Sequence, residues 1–291
     1  MRYESAARFR QALEQRLGER VKATGASTVR LRKTVVFDRL LARLAVAAPG
    51  KWALKGGLAL DFRLKERSRT TKDMDLVRRD DEEAAMADLI EAVSRDLGDF
   101  FGFSVEGRTR RGDDEAGALR CRIRAELAGR LFENVVVDIG FSDPLAWAPE
   151  LVRGPDHLAF AGIDPAVVPV IPLEQQVAEK VHAYTRTYRG QPSSRARDLV
   201  DLVLIKQTAT LDGARLHAAL RGTFEGRRRH ALPASLPPPP AEWSVSYRKL
   251  ATEVGLDTQL AAGHREAAAL LDPILAGLDS RRWDAAQGRW V

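Results

Sequence analysis

Lys55-Gly56-Gly57, followed one short segment later by Asp73-Met74-Asp75, brings together residue types suited to phosphate and metal chemistry. Trp52-Ala53-Leu54 reads as the end of a buried strand. The two glycines then let the backbone turn tightly and approach an anion, because glycine alone adopts such dihedrals without strain. From Gly57 to Lys65 the apolar residues Leu58, Leu60, Phe62 and Leu64 suggest a short helix, whose first amides lack intrahelical partners and face an anion. Met74, Leu76 and Val77 suggest a second strand carrying Asp73 and Asp75. Side chains two apart on a strand share a face. Two carboxylates so placed can hold Mg2+, which takes one or two acidic ligands and completes its shell with water and substrate phosphates. Taken alone, an Asp-x-Asp pair is also what a solvated strand end carries.

A further acid lies downstream. Leu119, Cys121, Ile123, Ala125 and Leu127 alternate with charged residues, the period of a half-buried strand. Gly129-Arg130 turns the chain into a second strand, with Val135, Val137 and Ile139 on one face and Val136 and Asp138 on the other. Burying an unpaired carboxylate is costly, so an aspartate within Val-Val-Val-Asp-Ile-Gly needs a cation or hydrogen-bond donors nearby. Asp138 is therefore a candidate third metal ligand; the alternative is an aspartate held in a structural pair. A helix from Pro172 carries Lys180 and His182, and another holds Arg195 to Leu202, where Asp198 and Asp201 stand three apart on one side. The plain reading of that helix is a surface acid pair balanced by Arg195 and Arg197. Lys55 and Lys180 supply compact charges suited to a triphosphate. Arg63 and Arg69 are either phosphate contacts or helix-surface arginines, and His182 reads as a packed or surface histidine. The acids at 80–83 open a helix where its dipole favours them and stay outside the metal site.

A glycine turn with its own lysine, one helix ahead of an Asp-x-Asp strand, resembles the layout of the polymerase-beta-like nucleotidyltransferase superfamily. The wording is narrower still. Lys-Gly-Gly-x-Ala-Leu-x-x-Arg (55–63) and Arg-x-Thr-x-Asp-x-Asp-Leu (69–76), with Glu-Lys-x-x-Ala (179–183) and Arg-Asp-x-x-Asp-Leu (197–202), resemble the AbiEii and MenT toxins of bacterial toxin–antitoxin and abortive-infection systems. The resemblance implies an α+β fold, a mixed sheet flanked by helices, plus a C-terminal helical domain. It implies transfer of a nucleoside monophosphate from an NTP to an RNA acceptor, for MenT-like members the tRNA 3′ end, under control of a cognate antitoxin. It further implies Mg2+ or Mn2+ on Asp73, Asp75 and Asp138, and nucleotide contacts from Lys55, Gly56, Gly57, Arg63, Arg69 and Thr71. Lys180, Asp198 and Asp201 join the catalytic set by the same resemblance, one of the acids positioning the lysine. Phosphorylation of Thr71 would add negative charge beside a triphosphate and oppose its binding. One departure stands out: Gly-Gly occupies a place where many nucleotidyltransferases have Gly-Ser.

These motifs sit among recognisable elements. Residues 4–24 carry apolar side chains at helical spacing, and Ser27 or Thr28 can cap a second helix ended by Pro49-Gly50. The proline-rich stretch 144–172 reads as an extended connection, and the run Pro237 to Pro240 as a stiff spacer within a mostly helical remainder. The expected division is a nucleotidyltransferase-like domain over 1–160, with its N-terminal helices, and a mainly helical domain over 161–291.

With 291 residues, 45% of them hydrophobic, the chain can bury a substantial core. A net charge of +6 suits a polyanionic partner such as RNA. No apolar run reaches the roughly 20 residues of a membrane span, and no secretory signal is visible at Met1-Arg2-Tyr3-Glu4. A single cysteine, Cys121, excludes an internal disulfide framework and fits the cytoplasm. Two other readings compete. A nucleotide-sugar glycosyltransferase also uses Asp-x-Asp but needs a longer Rossmann-like half before it. A non-catalytic RNA-binding scaffold of the same fold would have no need to keep all three acids.

Overall fold

Alternation in 119–127 places five apolar side chains on one face of a strand, and all five are buried. Each such side chain contributes about 1.5–3 kcal/mol on leaving water if aliphatic and large. The same logic builds a whole sheet in a computed structural model that describes residues 1–64, 69–111, 118–141, 147–188, 191–192 and 195–291. Two helices come first, α1 (Ala6–Thr24) and α2 (Thr28–Ala47), whose caps Ser5 and Ser27 accept from the amides of Arg8 and Arg30. Strand β1 (Ala53–Lys55) runs into α3 (Gly56–Leu64), then β2 (Asp73–Val77), α4 (Glu82–Ser94) and β3 (Phe101–Arg111). Next come β4 (Ala118–Leu127), β5 (Arg130–Gly140), β6 (Glu150–Arg153) and β7 (Val167–Val170).

The seven strands form one mixed sheet in the order β3-β4-β5-β2-β1-β7-β6. The central pair, β2 and β5, is parallel; β1 joins β2 antiparallel and β7 in parallel. Leu54, Met74, Leu76, Cys121, Val137 and Ile139 enter a single core with Phe9 and Leu13 of α1, Leu40 and Leu44 of α2, and Ala85 and Leu89 of α4. Arg43, wholly buried on α2, is matched by Asp99 at 2.7 and 2.8 Å and donates to the carbonyl of Phe101. Three of the four acids at 80–83 have structural partners: Asp80 takes Arg78, Asp81 caps α4 at 2.8 Å, and Glu82 pairs with Arg110 at 2.8 Å.

The 144–172 stretch corrects the expectation of a plain connection. Residues 144–146 lie outside the described set, as does Lys65, but β6 and β7 are genuine sheet strands with Leu151 opposite Pro169. A four-residue strand loses only one donor to its proline, while Val168 and Val170 alternate into the core.

Of the described residues, those within 1–64, 70–141 and 149–170 make one compact unit, and 69, 147–148 and those within 171–291 a second. The second contains α5 (Leu173–Thr185), the hairpin β8 (Thr187–Tyr188) and β9 (Gln191–Pro192), α6 (Ala196–Thr208) and α7 (Gly213–Arg227). Its later elements are β10 (Leu211–Asp212), α8 (Ser244–Glu253), α9 (Leu260–Leu275), β11 (Arg282–Asp284) and β12 (Arg289–Trp290). Strands β10, β11 and β12 pair as a small sheet, where Trp283 and Trp290 donate to the carbonyls of Lys206 and Leu270. The proline run is packed rather than a free spacer. Tyr184 donates to the Pro237 carbonyl at 2.8 Å, and the Leu236 amide donates to Asp272 at 2.8 Å.

Candidate active site

Sheet register brings four ionisable residues into one line. Lys55 on β1 is the partner of Asp75 on β2, Asp75 of Asp138 on β5, and Asp138 of Arg120 on β4. Directly paired residues project to the same side, so the row crosses four strands on the face opposite Met74, Val137 and Cys121. Asp73, two residues before Asp75, shares that face beside Val136. Arg120 grips Asp138 with both prongs, Nε to Oδ1 at 2.7 Å and Nη2 to Oδ2 at 2.6 Å, and its Nη2 is 3.7 Å from Asp73 Oδ2. Desolvation acts against the charged guanidinium, but the Asp138 bonds outweigh it and raise the Arg120 pKa, with Asp73 and Asp75 adding to the effect.

The glycine turn abuts this row. Gly56 has φ of +68°, and a Cβ built on it would stand 2.0 Å from Asp75 Oδ2, so both conformation and space demand glycine. Gly56 and Gly57 begin α3, whose leading amides form the positive end of its dipole. Leu58, Ala59, Leu60 and Phe62 anchor that helix in the interior. Lys55 Nζ lies 3.6 Å from where a Cβ on Gly140 would be, which places the ammonium along β5 beyond Asp138. Arg63 reaches Glu150 at 2.7 Å. Thr71 Oγ1 is buried and has no hydrogen-bond partner among the described residues.

A separate cluster forms within the helical unit. Lys180 of α5 donates to Asp201 of α6 at 2.6 Å and approaches Asp198 at 3.5 Å. Arg69 binds the same Asp201 through two bonds of 2.9 Å. Burial works against ionised Asp201, yet Lys180 and Arg69 outweigh it and lower its pKa. Lys180, Asp198 and Asp201 are buried, so this charge is committed internally. His182 is also buried, its ring 5.0 Å from Phe224.

The comparisons follow this geometry. The family model for the "nucleotidyl transferase AbiEii toxin, type IV TA system" matches residues 39–289. The chain belongs to the AbiEii family of nucleotidyltransferase toxins. Among solved structures it is similar to MenT4, a nucleotidyltransferase toxin from Mycobacterium tuberculosis H37Rv, with 20% identity, 96% of this chain and 92% of that one covered, and a TM-score of 0.61. It is also similar to an H. pylori protein provisionally described as a nucleotidyltransferase, with 15% identity, coverage of 87% and 98%, and a TM-score of 0.50. No curated protein matches the chain. These likenesses establish the fold: a mixed sheet flanked by helices, as in MenT-type toxins.

For an AbiEii toxin, the sheet row is the natural place to look for chemistry. Among the described residues, no three His, Cys, Asp or Glu side chains stand close enough to enclose a metal ion alone. The donors nonetheless suit a hard divalent cation. Asp73 and Asp75 offer carboxylate oxygens on one face, Asp73 is half-exposed, and a cation, the Arg120 guanidinium, already bridges Asp73 and Asp138. Arg120 is the residue that sequence reasoning left out of this group. Among the described residues, no helix is long and apolar enough to cross a membrane.

Proposed function

We propose that this AbiEii toxin transfers a nucleoside monophosphate from an NTP to the 3′ end of an RNA, with tRNA as acceptor, and so blocks translation until a cognate antitoxin intervenes. The observation that carries the reading is the register-aligned row Lys55, Asp75, Asp138 and Arg120, with Asp73 beside it and the Gly56 turn against Asp75. Asp73 and Asp75 would hold Mg2+ or Mn2+. Bound there, the ion supplies Lewis-acid polarisation of the phosphoryl group and lowers the pKa of the attacking hydroxyl. Amides of Gly56 and Gly57 donate to phosphate oxygens of the NTP, and Lys55 adds a fixed positive charge. The RNA 3′ oxygen attacks the α-phosphorus, the bond to the bridging oxygen breaks, and pyrophosphate leaves with the electron pair. Asp138 can take the hydroxyl proton only when Arg120 lets go, because both its oxygens accept from that residue. The net charge of +6 supports a polyanionic acceptor, and the type IV family supports an antitoxin partner.

The glycosyltransferase alternative lacks its longer leading half: β1 is the one described strand ahead of β2. The reading is tested by incubating purified protein with Mg2+, each labelled NTP in turn and total tRNA, beside Asp73→Ala. Label should enter RNA with wild type alone. RNA binding without label from any NTP would establish the non-catalytic scaffold instead.

A further inference from the structure

Among the described residues, three carboxylates, Asp73, Asp75 and Asp138, lie on one face of the sheet with two cations, Lys55 and Arg120. Arg120 is not idle there. It uses a bidentate fork on Asp138 and reaches Asp73 with the same nitrogen. Asp138 is 10% exposed at its side chain and needs a cation, while Arg120 is 30% exposed and has a route out to water. Arg122, two residues along the same face of β4, is exposed and has no ion pair among the described residues. Arg124 on that face is paired with Glu106 and Glu126, but Arg122 shows that an arginine there can stand without an ion pair, so the clasp answers the need of Asp138.

We propose that Arg120 is a resident counter-cation that closes Asp138 to divalent metal in the nucleotide-free protein, so that metal alone binds weakly and enters with the nucleotide. This deepens the nucleotidyl-transfer reading and rests on it. The physical ground is competition: a guanidinium and a divalent ion want the same two carboxylate oxygens, and the ion must break two charge-assisted bonds to gain them. Arg120 acts through Asp138, as a positioning residue. Charge occupies the site before substrate does.

The test uses the full chain without nucleotide, titrated with Mn2+ alone and followed by the electron paramagnetic resonance signal of free ion. Arg120→Gln should bind Mn2+ about tenfold or more tightly than wild type. Arg120→Lys, which keeps the charge but not the two-pronged fork, should bind Mn2+ more weakly than Arg120→Gln and more tightly than wild type. Adding Asp138→Asn to Arg120→Gln should abolish the gain. Equal affinity in wild type and a folded Arg120→Gln, checked by thermal melting, would overturn the proposal. Should Arg120→Gln fail to fold, Asp138→Asn alone decides: affinity for Mn2+ should stay unchanged, and a clear loss would show that Asp138 was open to metal from the start. Failure of the transfer reading looks different. It appears as unlabelled RNA with every NTP, whatever the Mn2+ titrations give.

Discussion

Two clusters of buried or half-buried acids in this chain solve the same electrostatic problem in opposite ways. In the helical unit, Asp201 is 2% exposed at its side chain and is answered by Lys180 and Arg69, with Asp198 sharing the lysine. Both acids are answered by cations, Arg195 adding a third at 3.9 Å from Asp198, and the account closes. On the sheet, Asp73 is 41% exposed, and the Arg120 that bridges it to Asp138 lies partly in water. The first arrangement spends its charge on internal order. The second leaves an acid and a cation where a ligand can reach them. Perturbed, crowded charge marks both, so crowding alone does not identify a reactive site; access separates them.

Substitutions sharpen that contrast. If the proposed transfer is right, Asp73→Ala should remove several kcal/mol of transition-state charge stabilisation, a loss of about a thousandfold in labelled-RNA formation. Its unfolding free energy should stay within about 1 kcal/mol of wild type, since the side chain is half-exposed. Asp201→Ala should do the reverse to the fold. It strands two cations in the interior and should cost about 3–5 kcal/mol in urea unfolding. Acid shows the same dependence in wild type. Lys180 and Arg69 hold the Asp201 carboxyl below the ordinary aspartate value of 3.8 in the folded protein. Its contribution is therefore fully present above that unfolded value and lost as pH falls through the lower folded one. The urea midpoint should drop below about pH 4 with a limb that Asp201→Asn lacks. If that variant retained the same acid limb, the helical cluster would not be the closed account described here.

Gly56→Ala should have a smaller effect on stability, about 1–2 kcal/mol, from forcing a side chain into the left-handed region. Because the new Cβ would meet Asp75 at 2.0 Å, transfer should fall further than stability does. Proportionate losses in both assays would mean that the turn matters only for folding. The smallest effect is expected at Thr71→Val. Its hydroxyl is buried and has no hydrogen-bond partner among the described residues, so removing it should leave melting unchanged or raise stability by up to about 1 kcal/mol. A drop in NTP affinity in this variant would assign the hydroxyl to nucleotide.

Much of this was legible before any coordinates. Period-two alternation located β4 and β5, and the glycine turn with its Asp-x-Asp located β1, α3 and β2, because burial on one face leaves a direct imprint on residue order. Arg120 was not legible as the partner of Asp138, for a specific reason. At the hairpin, Leu127 faces Arg130 and Glu126 faces Leu131. Continuing that count would set Arg120 against Val137. A bulge between Ala125 and Glu126 instead shifts the register, pairing Ala125 with Glu133 and Arg120 with Asp138. The skipped residue, Phe132, is buried against Phe101 with ring centres 5.4 Å apart. One-residue slips reverse every facing, and local composition does not announce them. Strands β6 and β7 were missed because the prolines in and around them outweighed two four-residue patterns. The Arg69 pairing was missed because Arg69 and Asp201 are 132 residues apart in the chain.

Cys121 follows Arg120 on β4 and points the other way. It is fully buried, its sulfur lies 3.8 Å from that of Met86, and burial pushes its thiol up to about 11. An alkylating reagent added to the native protein therefore meets neither an accessible sulfur nor a thiolate. The lone cysteine becomes a built-in clock: its labelling rate reports how often the strand that carries Arg120 comes away from the core.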